Sequence, residues 1–539
     1  MIFNKTKLAT LLSEVIVVSL ALSSCGGSGS GSGSGGSSTP APVNGPAYIM
    51  AYYPNYYGYF NNNTVSADIV LAGHAIPEPS YVIPGISFGY PSFNNGTPSS
   101  APQGITNQDL QNKLSGIDAL SYGFFKLNTN GSIQFADSYA DLLATGTTWP
   151  YIPSSTTMQV YNLQLGPSII GVEPTTDTVH YGGFEAFMKM KKPNGNLDKF
   201  ISIGGWSGAA WQANLNSQAN ITNFVDSIQQ LHSVSSFDGI DLDVENAPGS
   251  FNTTSSFYAY LNGSLMTVIQ HLHIAMPNLK ITLTLQADPA ILNSIGTKLK
   301  ASIGNLAGVQ LMTYDFHGAF DYTGSSGTTG FNSSLYNDPA SPFGTSEFSV
   351  NASVEILAKY IPYNKISLGV PAYGRAAITG VPPTNGGLFQ QYDNTSIVLP
   401  GDLDNTICSS TLGSTTACSG TFEYRYILSQ MLTNGFVESV RTVNGTNNAT
   451  TAFATSWTVQ PGVTIDGITP VGIASNYPVI QAKNVFISYI SASVAKSYGQ
   501  YAAKKGLKGA IVWDIMGDVP YADTTHSLLY NFRQGYESK

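Results

Sequence analysis

The chain has 539 residues, more than an ordinary single domain, and 42% of them are hydrophobic. That composition provides enough apolar surface for a large packed core and excludes a disordered protein. Only 10% of the residues are charged and the formal net charge is −9, which argues against nucleic acid as a partner and favours a neutral ligand.

The first 25 residues predict an export signal. Lys5 and Lys7 precede an apolar run at residues 11–22, and small residues then lead to Cys25. This order resembles a bacterial lipoprotein signal in which Cys25 becomes the lipidated first residue of the mature protein. An ordinary secretory signal cut nearby, or a signal anchor, is the alternative. We therefore expect an exported protein that is held at the bacterial cell envelope by a lipid anchor or is secreted.

Residues 26–45 predict a flexible tether. They are rich in Gly and Ser and pass into a Pro-containing stretch, a composition that cannot bury enough apolar surface to fold. Besides Cys25, the sequence contains Cys408 and Cys418. These two could form a disulfide that closes a short loop in an oxidising compartment, or they could remain free thiols.

Eight apolar runs with strand character follow one another from Ala47 onward. They are residues 47–53, 120–127, 199–205, 237–245, 280–287, 309–316, 365–373 and 509–515. Between them, residues 223–233, 256–276 and 493–506 space their apolar side chains by three and four, as helices that cover a sheet do. Apolar strands that alternate with helices predict a parallel sheet covered on both faces, and eight such units predict an α/β fold, a closed (β/α)₈ TIM barrel.

The fourth run, FDGIDLDVE, concentrates acidic residues in a segment that otherwise resembles core. Asp241, Asp243 and Glu245 occupy every second position, so they share one face of the strand with about 7 Å between successive Cα atoms. Leu242 and Val244 take the opposite face. We expect the carboxyl groups to point into the barrel and to end at the carboxyl end of the strand, where such barrels carry chemistry. Carboxyl groups buried together share protons, which raises the pKa of at least one of them, as a general acid requires.

Two other interpretations of the acidic run are weaker. An acidic cluster on an exposed edge is disfavoured because the interleaved β-branched residues predict burial. A metal site is disfavoured because the run lacks the glycine turn of a calcium loop, and the whole chain has only seven histidines to complete a transition-metal site. The sequence therefore predicts no metal and no cofactor.

The segment D-G-I-D-L-D-V-E resembles the DGxDxDxE signature of family 18 glycoside hydrolases, the chitinases and their relatives. Three further motifs resemble those of the same family and follow in the same order. They are Ser202-Ile203-Gly204-Gly205-Trp206 at the third strand, Met312-Thr313-Tyr314-Asp315 at the sixth, and GAIVWDIMGD, residues 509–518, at the eighth. The resemblance covers residues 47 to about 518 and implies a TIM barrel that acts on N-acetylglucosamine polymers.

The resemblance also implies roles for the acidic row and the sixth strand. Glu245 would protonate the glycosidic oxygen while the 2-acetamido carbonyl of the substrate attacks the anomeric carbon, which gives an oxazolinium ion and retention of configuration. Asp243 would orient the acetamido N–H, and Asp241 would tune the pair. Tyr314 and Asp315 would hold the acetamido oxygen and the sugar hydroxyls, although a satisfied polar pair in the core is the alternative for these two residues.

Five more residues are candidates for substrate binding by the same resemblance. Trp513 would form the apolar floor beneath the acetamido group, although an isolated Trp is more often plain core. Tyr52 and Ser202 would lie near the aspartate row. Trp206 and Met312, which belong to the shorter motifs, complete the set.

Residues 377–485 are too many for a loop between the seventh and eighth strands. They resemble the small α+β insertion domain found at this point in many chitinases, where it forms one wall of a deeper groove. The predicted organisation is a signal at residues 1–25, a linker at 26–45, barrel strands one to seven at 46–376, the insertion at 377–485, and the eighth strand with the C-terminus at 486–539. Residues 61–119 and 136–179 receive no role.

The leading hypothesis from the sequence is a chitinase that hydrolyses β-1,4-linked N-acetylglucosamine polymers or oligomers. An endo-β-N-acetylglucosaminidase that cuts N-glycan cores would use the same acid, and a chitinase-like lectin would bind without cutting. The insertion and the M-T-Y-D motif favour chitin. Val244 and Asn246 depart from the aromatic residues common at these positions in the family, which leaves the shape of the sugar subsites open. The expected partners are chitin or N-acetylglucosamine-containing glycans, no nucleic acid, and a membrane only through the lipid anchor, and we expect a monomer.

Overall fold

The structure is a computed structural model, and it describes most of the chain after residue 44. The described residues are 45–55, 113–136, 184–246, 251–321, 326–379, 384–393, 399, 420–459 and 480–538, less a few short gaps within 184–246, at 252 and at 345–347. The predicted signal, nearly all of the linker and the three cysteines lie outside them. The lipidation of Cys25 and the pairing of Cys408 with Cys418 therefore stay predictions.

Eight parallel strands close into a barrel. They are β1 (Tyr48–Pro54), β2 (Ala119–Leu127), β3 (Asp198–Gly204), β4 (Gly239–Val244), β5 (Lys280–Gln286), β6 (Gly308–Met312), β7 (Ile366–Pro371) and β8 (Gly509–Trp513). The barrel has no open edge because β1 pairs in parallel with both β2 and β8. Each of the eight predicted apolar runs overlaps one of these strands to within one residue at either end of the strand, so the predicted TIM barrel is confirmed.

The helices alternate with the strands and cover the outside of the barrel. They are α1 (Gln218–Ser235), α2 (Thr254–Asn262), α3 (Ser264–Ala275), α4 (Pro289–Ser302), α5 (Val350–Leu357), α6 (Ala492–Lys505) and α7 (Leu528–Glu537), with a short helix at Trp211–Asn214. Leu242 and Val244 of β4 are fully buried in the main core together with α3 residues such as Val268. The alternation of β4 therefore sends its apolar side chains toward the helices and leaves the barrel interior to its acidic side chains.

The helices differ from the predicted ones in two ways. The predicted helix at residues 256–276 is two helices, because Gly263 between α2 and α3 has φ −130° and ψ −92°, outside the helical region. Helices α4, α5 and α7 were not predicted. The N-terminus of α4 does have a sequence signal, an N-cap residue followed by proline. Asp288 accepts a hydrogen bond from the Ala290 amide at 2.6 Å, and Pro289 follows it directly.

A second, antiparallel sheet of five strands follows β7. Its order is Thr421–Glu423, Tyr373–Ile378, Ile480–Tyr489, Thr446–Val459 and Val437–Val443. The strand Tyr373–Ile378 begins two residues after β7, so the sheet is built directly on the carboxyl end of a barrel strand. Most of this sheet falls within the predicted insertion, whose exact limits stay a prediction.

Two further pairings of short strands lie among the described residues. The three-residue strand Ile133–Phe135 pairs with the end of β2, and Ser326–Thr328 pairs with Gln391–Asp393. Within the described ranges, every helix is too short or too polar to cross a membrane.

Candidate active site

The three predicted acidic residues form a row along β4. Asp241 is 0% exposed and Asp243 is 3% exposed, whereas Glu245 follows the last residue of the strand and is partly exposed. The row therefore runs from the buried interior of the barrel to its carboxyl-end mouth. Glu245 is the member that a ligand can reach.

Asp241 is surrounded by hydroxyl groups. Its Oδ2 accepts hydrogen bonds from Tyr52 Oη and Ser202 Oγ, each at 2.8 Å. Its Oδ1 accepts from Thr282 Oγ1 at 2.8 Å and Thr284 Oγ1 at 2.7 Å. The strand register explains this, because Ser202 and Thr282 lie directly beside Asp241 on the two neighbouring strands. Burial raises the pKa of Asp241, and these four hydrogen bonds oppose that rise.

Asp243 has no comparable set of donors. Among the described residues, its Oδ1 has no hydrogen-bond partner. Burial, and then the nearby charges of Glu245 and Asp241, raise the pKa of Asp243 well above its usual range. Asp243 therefore holds a proton more tightly than an ordinary aspartate and offers an unpaired carboxyl oxygen at the centre of the row.

Glu245 has the pKa that a general acid needs near neutrality. Burial is the main cause, and the charge of Asp315 is the second, and together they raise the pKa of Glu245 to about 8. At pH 7 this carboxyl group is mostly protonated while it stays accessible from the mouth of the barrel. The arrangement can deliver a proton to a bound molecule.

Asp315 and Tyr314 lie just past the end of β6, on the same side of the barrel. Tyr314 is buried, and burial followed by the charge of Asp243 raises its pKa. Asp315 is exposed and adopts a left-handed backbone with φ 58°. Its amide donates to Asn332 Oδ1 at 3.1 Å, and its Oδ1 accepts from Arg375 Nε at 2.8 Å. These two contacts fix an exposed carboxylate at the mouth beside Glu245.

Trp513, at the end of β8, packs against other aromatic rings of the barrel. Its ring centroid lies 5.4 Å from that of Tyr52 and 5.6 Å from that of Phe124, and the Phe124 ring is stacked at an interplanar angle of 14°. Gly205 of the S-x-G-G motif makes room for this stack, because a Cβ there would lie 2.8 Å from the Phe124 ring. Met312 packs against the same cluster. The result is an apolar floor next to the acidic row.

The structure brings most of the predicted site residues together. Nine of the ten lie on the row, at the mouth or in the apolar floor: Tyr52, Ser202, Asp241, Asp243, Glu245, Met312, Tyr314, Asp315 and Trp513. Trp206 is different, since it is 59% exposed and no hydrogen bond or ring contact joins it to the described residues of the row. Its predicted role in binding stays a prediction.

Five residues of the site were missed at the level of sequence. Thr282, Thr284 and Gln310 line the barrel beside Asp241, Phe124 stacks on Trp513, and Arg375 holds Asp315. The alternation within the run KITLTLQA could have revealed the two threonines, because residues at every second position of a barrel strand share its inner face. No comparable signal exists for Arg375, which lies beyond the seventh apolar run.

Comparison with known proteins places this geometry in a family. The model described as "Glycosyl hydrolases family 18" matches residues 91–518. Among curated relatives, Endochitinase 1 of Metarhizium robertsii is 27% identical over 280 residues, which cover 49% of this chain and 55% of that protein. Chitotriosidase-1 of Mus musculus is 27% identical over 210 residues, which cover 38% of this chain and 44% of that protein. The match thus spans about half the length of these relatives.

Solved structures show the same fold. Chitinase ChiA74 from Bacillus thuringiensis aligns with a TM-score of 0.59 at 18% identity, over 91% of this chain and 70% of that one. Chitinase RmChi1 from Rhizomucor miehei aligns with a TM-score of 0.55 at 18% identity, over 91% of this chain and 100% of that one. At such identities the likeness concerns the fold, and the chemistry has to be argued from the residues of the site.

Proposed function

Because this chain belongs to glycosyl hydrolase family 18, we propose that it is a chitinase that hydrolyses β-1,4-linked N-acetylglucosamine polymers or oligomers. The observation that carries the proposal is the position of Glu245 at the end of the acidic row and at the mouth of the barrel, where burial and the Asp315 charge raise its pKa to about 8. The names of the relatives, Endochitinase 1 and Chitotriosidase-1 among them, support the same substrate class.

In the first step, Glu245 acts as the general acid. Its proton passes to the glycosidic oxygen, and the bond from that oxygen to the anomeric carbon breaks. The carbonyl oxygen of the substrate's own 2-acetamido group forms the new bond to the anomeric carbon, which gives an oxazolinium ion. Asp243 orients the acetamido group, because its unpaired Oδ1 can accept the acetamido N–H.

In the second step, a water molecule attacks the anomeric carbon and the oxazolinium ring opens. The Glu245 carboxylate, left by the first step, accepts a proton from that water and returns to its starting state. Two inversions at the same carbon give net retention of configuration. The buried Asp241 keeps its charge close to the cationic intermediate and stabilises it electrostatically.

The remaining side chains hold the reacting sugar. Trp513, stacked on Phe124, presents an apolar surface to the acetamido methyl group. Tyr314 stays protonated because its pKa is raised by burial, so its hydroxyl can donate a hydrogen bond to the acetamido oxygen. Asp315, fixed by Arg375, accepts hydrogen bonds from sugar hydroxyls.

Incubation of the purified chain with chitotetraose and with a biantennary glycoprotein tests this proposal. The Glu245→Gln variant serves as the matched control, since it keeps the size of the side chain but cannot supply the proton. We expect the wild type to release chitobiose with retention, detected as the β-anomer by NMR immediately after cleavage, and the variant to release none above background.

Two other results would replace the proposal. Release of the N-glycan without cleavage of chitotetraose would identify an endo-β-N-acetylglucosaminidase. Retention of chitotetraose on the protein, with no cleavage by wild type or variant, would identify a sugar-binding protein without activity.

We further propose that the chain is exported and attached to the cell envelope through Cys25. The proposal rests on the order of basic, apolar and small residues before Cys25 and on the Gly/Ser-rich stretch after it. Expression in a bacterial host with labelled palmitate should label the wild type and leave Cys25→Ala unlabelled. Equal labelling of both proteins would overturn it.

A further inference from the structure

We propose that Thr282 and Thr284 of β5 are positioning residues that hold Asp241 in its ionised form, and so keep the proton of the acidic row on Asp243 and Glu245. Neither threonine belongs to a motif that carried the assignment of the site. The inference rests on the proposed hydrolase function for its kinetic consequences, whereas its hydrogen-bond chemistry can be measured without any substrate.

The two threonines supply half of the donors around Asp241. Both are 1% exposed, and their hydroxyls lie 2.8 Å and 2.7 Å from Asp241 Oδ1. They are the only described donors to this oxygen, since Tyr52 and Ser202 bind Oδ2. Loss of either hydroxyl would therefore leave Oδ1 with a single described donor in the buried interior of the barrel.

The number of hydroxyl hydrogens around Asp241 indicates which charge state of Asp241 this arrangement favours. A carboxylate accepts up to four hydrogen bonds, whereas a protonated carboxyl group accepts fewer and must itself donate one. The four hydroxyls around Asp241 have one hydrogen each, so they satisfy an ionised Asp241 completely. If Asp241 were protonated, one of the four would have to turn away.

The surroundings allow such a turn, which makes the cluster able to respond to a proton. Thr284 Oγ1 also lies 3.1 Å from Gln310 Oε1, and Thr282 Oγ1 lies 3.3 Å from the carbonyl oxygen of Ile240. Each threonine thus has a second acceptor within reach. The hydroxyls can follow the charge of Asp241 by rotation alone, without movement of the backbone.

The other titratable groups around Asp241 do not lower its pKa as the hydroxyl donors do, because they are acidic or uncharged. Among the described residues, those that face it are Asp243 on its own strand, Tyr52 on β1 and Tyr314 past β6. The neighbouring strands otherwise contribute the uncharged Ser202, Gln310 and the two threonines. With no cation in this set, the hydroxyl donors are what offsets the burial of the Asp241 charge.

The position of the proton matters for the reaction. If Asp241 takes a proton, Asp243 becomes the charged member of the row, next to Glu245. The negative charge that stabilises the oxazolinium ion then lies on Asp243 and not on Asp241. An ionised Asp241 leaves the proton on Asp243, between the two other carboxyl groups. The threonines therefore act on catalysis through the row and do not touch the substrate.

Thr284→Val is the decisive variant, because Val has nearly the same shape, favours a strand and lacks the hydroxyl. Thr284→Ser is the matched rescue, since it keeps the hydroxyl and loses only a methyl group. Thr282→Val and Thr282→Ser repeat the test on the second donor. Thr450→Val is the control for the loss of a buried hydroxyl elsewhere, because Thr450 bonds Ser491 in the five-stranded sheet.

We expect Thr284→Val to lower kcat on chitotetraose about tenfold, with KM changed less than about twofold, the scale of one hydrogen bond to a charged group. The acid limb of the kcat/KM profile should move up by about one pH unit, because loss of a donor to the ionised form raises the pKa of Asp241. The basic limb, which reports Glu245, should stay in place. Thr284→Ser and Thr450→Val should retain the wild-type profile.

A direct titration separates this inference from the proposed function. Carboxyl ¹³C NMR of protein labelled at Asp, with the Asp241 signal assigned through Asp241→Asn, should show the Asp241 pKa higher in Thr284→Val than in the wild type and in Thr284→Ser. An unchanged Asp241 pKa in Thr284→Val overturns the inference, and so does an acid limb displaced equally in Thr284→Ser. A wild type that titrates as expected but cleaves no chitotetraose would refute the proposed function alone.

Discussion

The barrel interior and the five-stranded sheet both bury carboxyl groups, but they stabilise them in opposite ways. In the barrel, no lysine or arginine among the described residues forms an ion pair with Asp241, Asp243 or Glu245. In the sheet, Glu423 pairs with Arg425 at 2.5 Å, and both side chains are 5% exposed. The sheet balances a buried charge with a cation, whereas the barrel favours protonated carboxyl groups and surrounds Asp241 with hydroxyl donors.

The difference shows in the direction of the pKa shifts. At Asp338, burial raises the pKa, but the hydrogen bonds and the charge of Arg441 outweigh burial, and the pKa is lowered. At Asp243, burial and two neighbouring carboxyl groups act together and the pKa is raised. A lowered pKa fixes a charge and serves stability, whereas a raised pKa keeps a proton available for transfer. Variants at matched positions in the two regions can test this contrast.

The largest effect is expected for Glu245→Gln in the barrel. Because a general acid contributes about 10²–10⁴ to the rate, we expect kcat on chitotetraose to fall by about that factor. The matched variant Glu423→Gln in the sheet should keep kcat within about twofold, since Glu423 pairs with Arg425 in the sheet region and not with the acidic row. Initial rates of chitobiose release measure both. Equal losses in the two variants would show that the contrast between the regions is wrong.

The next effect concerns stability, and here the order of the two variants reverses. Glu423→Gln removes the negative charge that pairs with the buried Arg425, and breaking a buried ion pair on one side costs about 3–5 kcal/mol of unfolding free energy. The double variant Glu423→Gln, Arg425→Met should recover part of this loss, because it removes both charges. Equilibrium urea unfolding measures the change. A single variant as stable as the wild type would contradict a structural role for the pair.

A third effect is a loss of stability as pH rises, which follows from the raised pKa in the barrel. The pKa of Glu245 is raised from 4.5 to about 8, so the folded chain binds this proton more tightly than the unfolded chain. Below its unfolded pKa, Glu245 therefore does not lower the unfolding free energy. As pH rises from there to about 8, Glu245 lowers the unfolding free energy by an increasing amount. We expect the unfolding free energy of the wild type, relative to Glu245→Gln, to fall by on the order of a few kcal/mol across this window.

Urea unfolding of the two proteins at about pH 5 and about pH 8 checks that expectation. The comparison with Glu245→Gln matters, because titrating groups distant from the acidic row behave alike in both proteins and cancel in the difference. A difference that does not change with pH would mean that Glu245 titrates normally. The assignment of Glu245 as the acid would then lose its physical basis.

The two regions also differ in how much of them the sequence predicts. Every barrel strand was predicted, because a parallel strand buried on both faces is a continuous apolar run, as in residues 365–373. The five-stranded sheet was predicted only as an insertion. Its long strands Thr446–Val459 and Ile480–Tyr489 pair with each other and with strands distant in sequence, and such pairing leaves no local pattern that fixes the order.

Within the site, sequence reasoning succeeded where residues lie on one strand and failed where strands meet. Asp241, Asp243 and Glu245 share a face by alternation alone. The contact between Arg375 and Asp315 joins residues 60 positions apart, and that between Tyr52 and Gln310 spans 258 positions. Those contacts depend on closure of the barrel and on the register of its strands, which the sequence pattern does not specify.

The smallest effect is expected at the opposite end of the barrel, where an acid is held by an exposed cation. Lys280 Nζ lies 2.6 Å from Asp198 Oδ2, but the lysine side chain is 45% exposed. Exposed ion pairs are worth about 0–1 kcal/mol because water screens the charges and the long side chain loses entropy. Lys280→Met should therefore lower the unfolding free energy by less than about 1 kcal/mol and leave kcat unchanged. Asp198 keeps its hydrogen bond from the Tyr48 hydroxyl, at 2.6 Å, in that variant. A loss of unfolding free energy as large as that of Glu423→Gln would show that burial does not determine how much each ion pair contributes to stability.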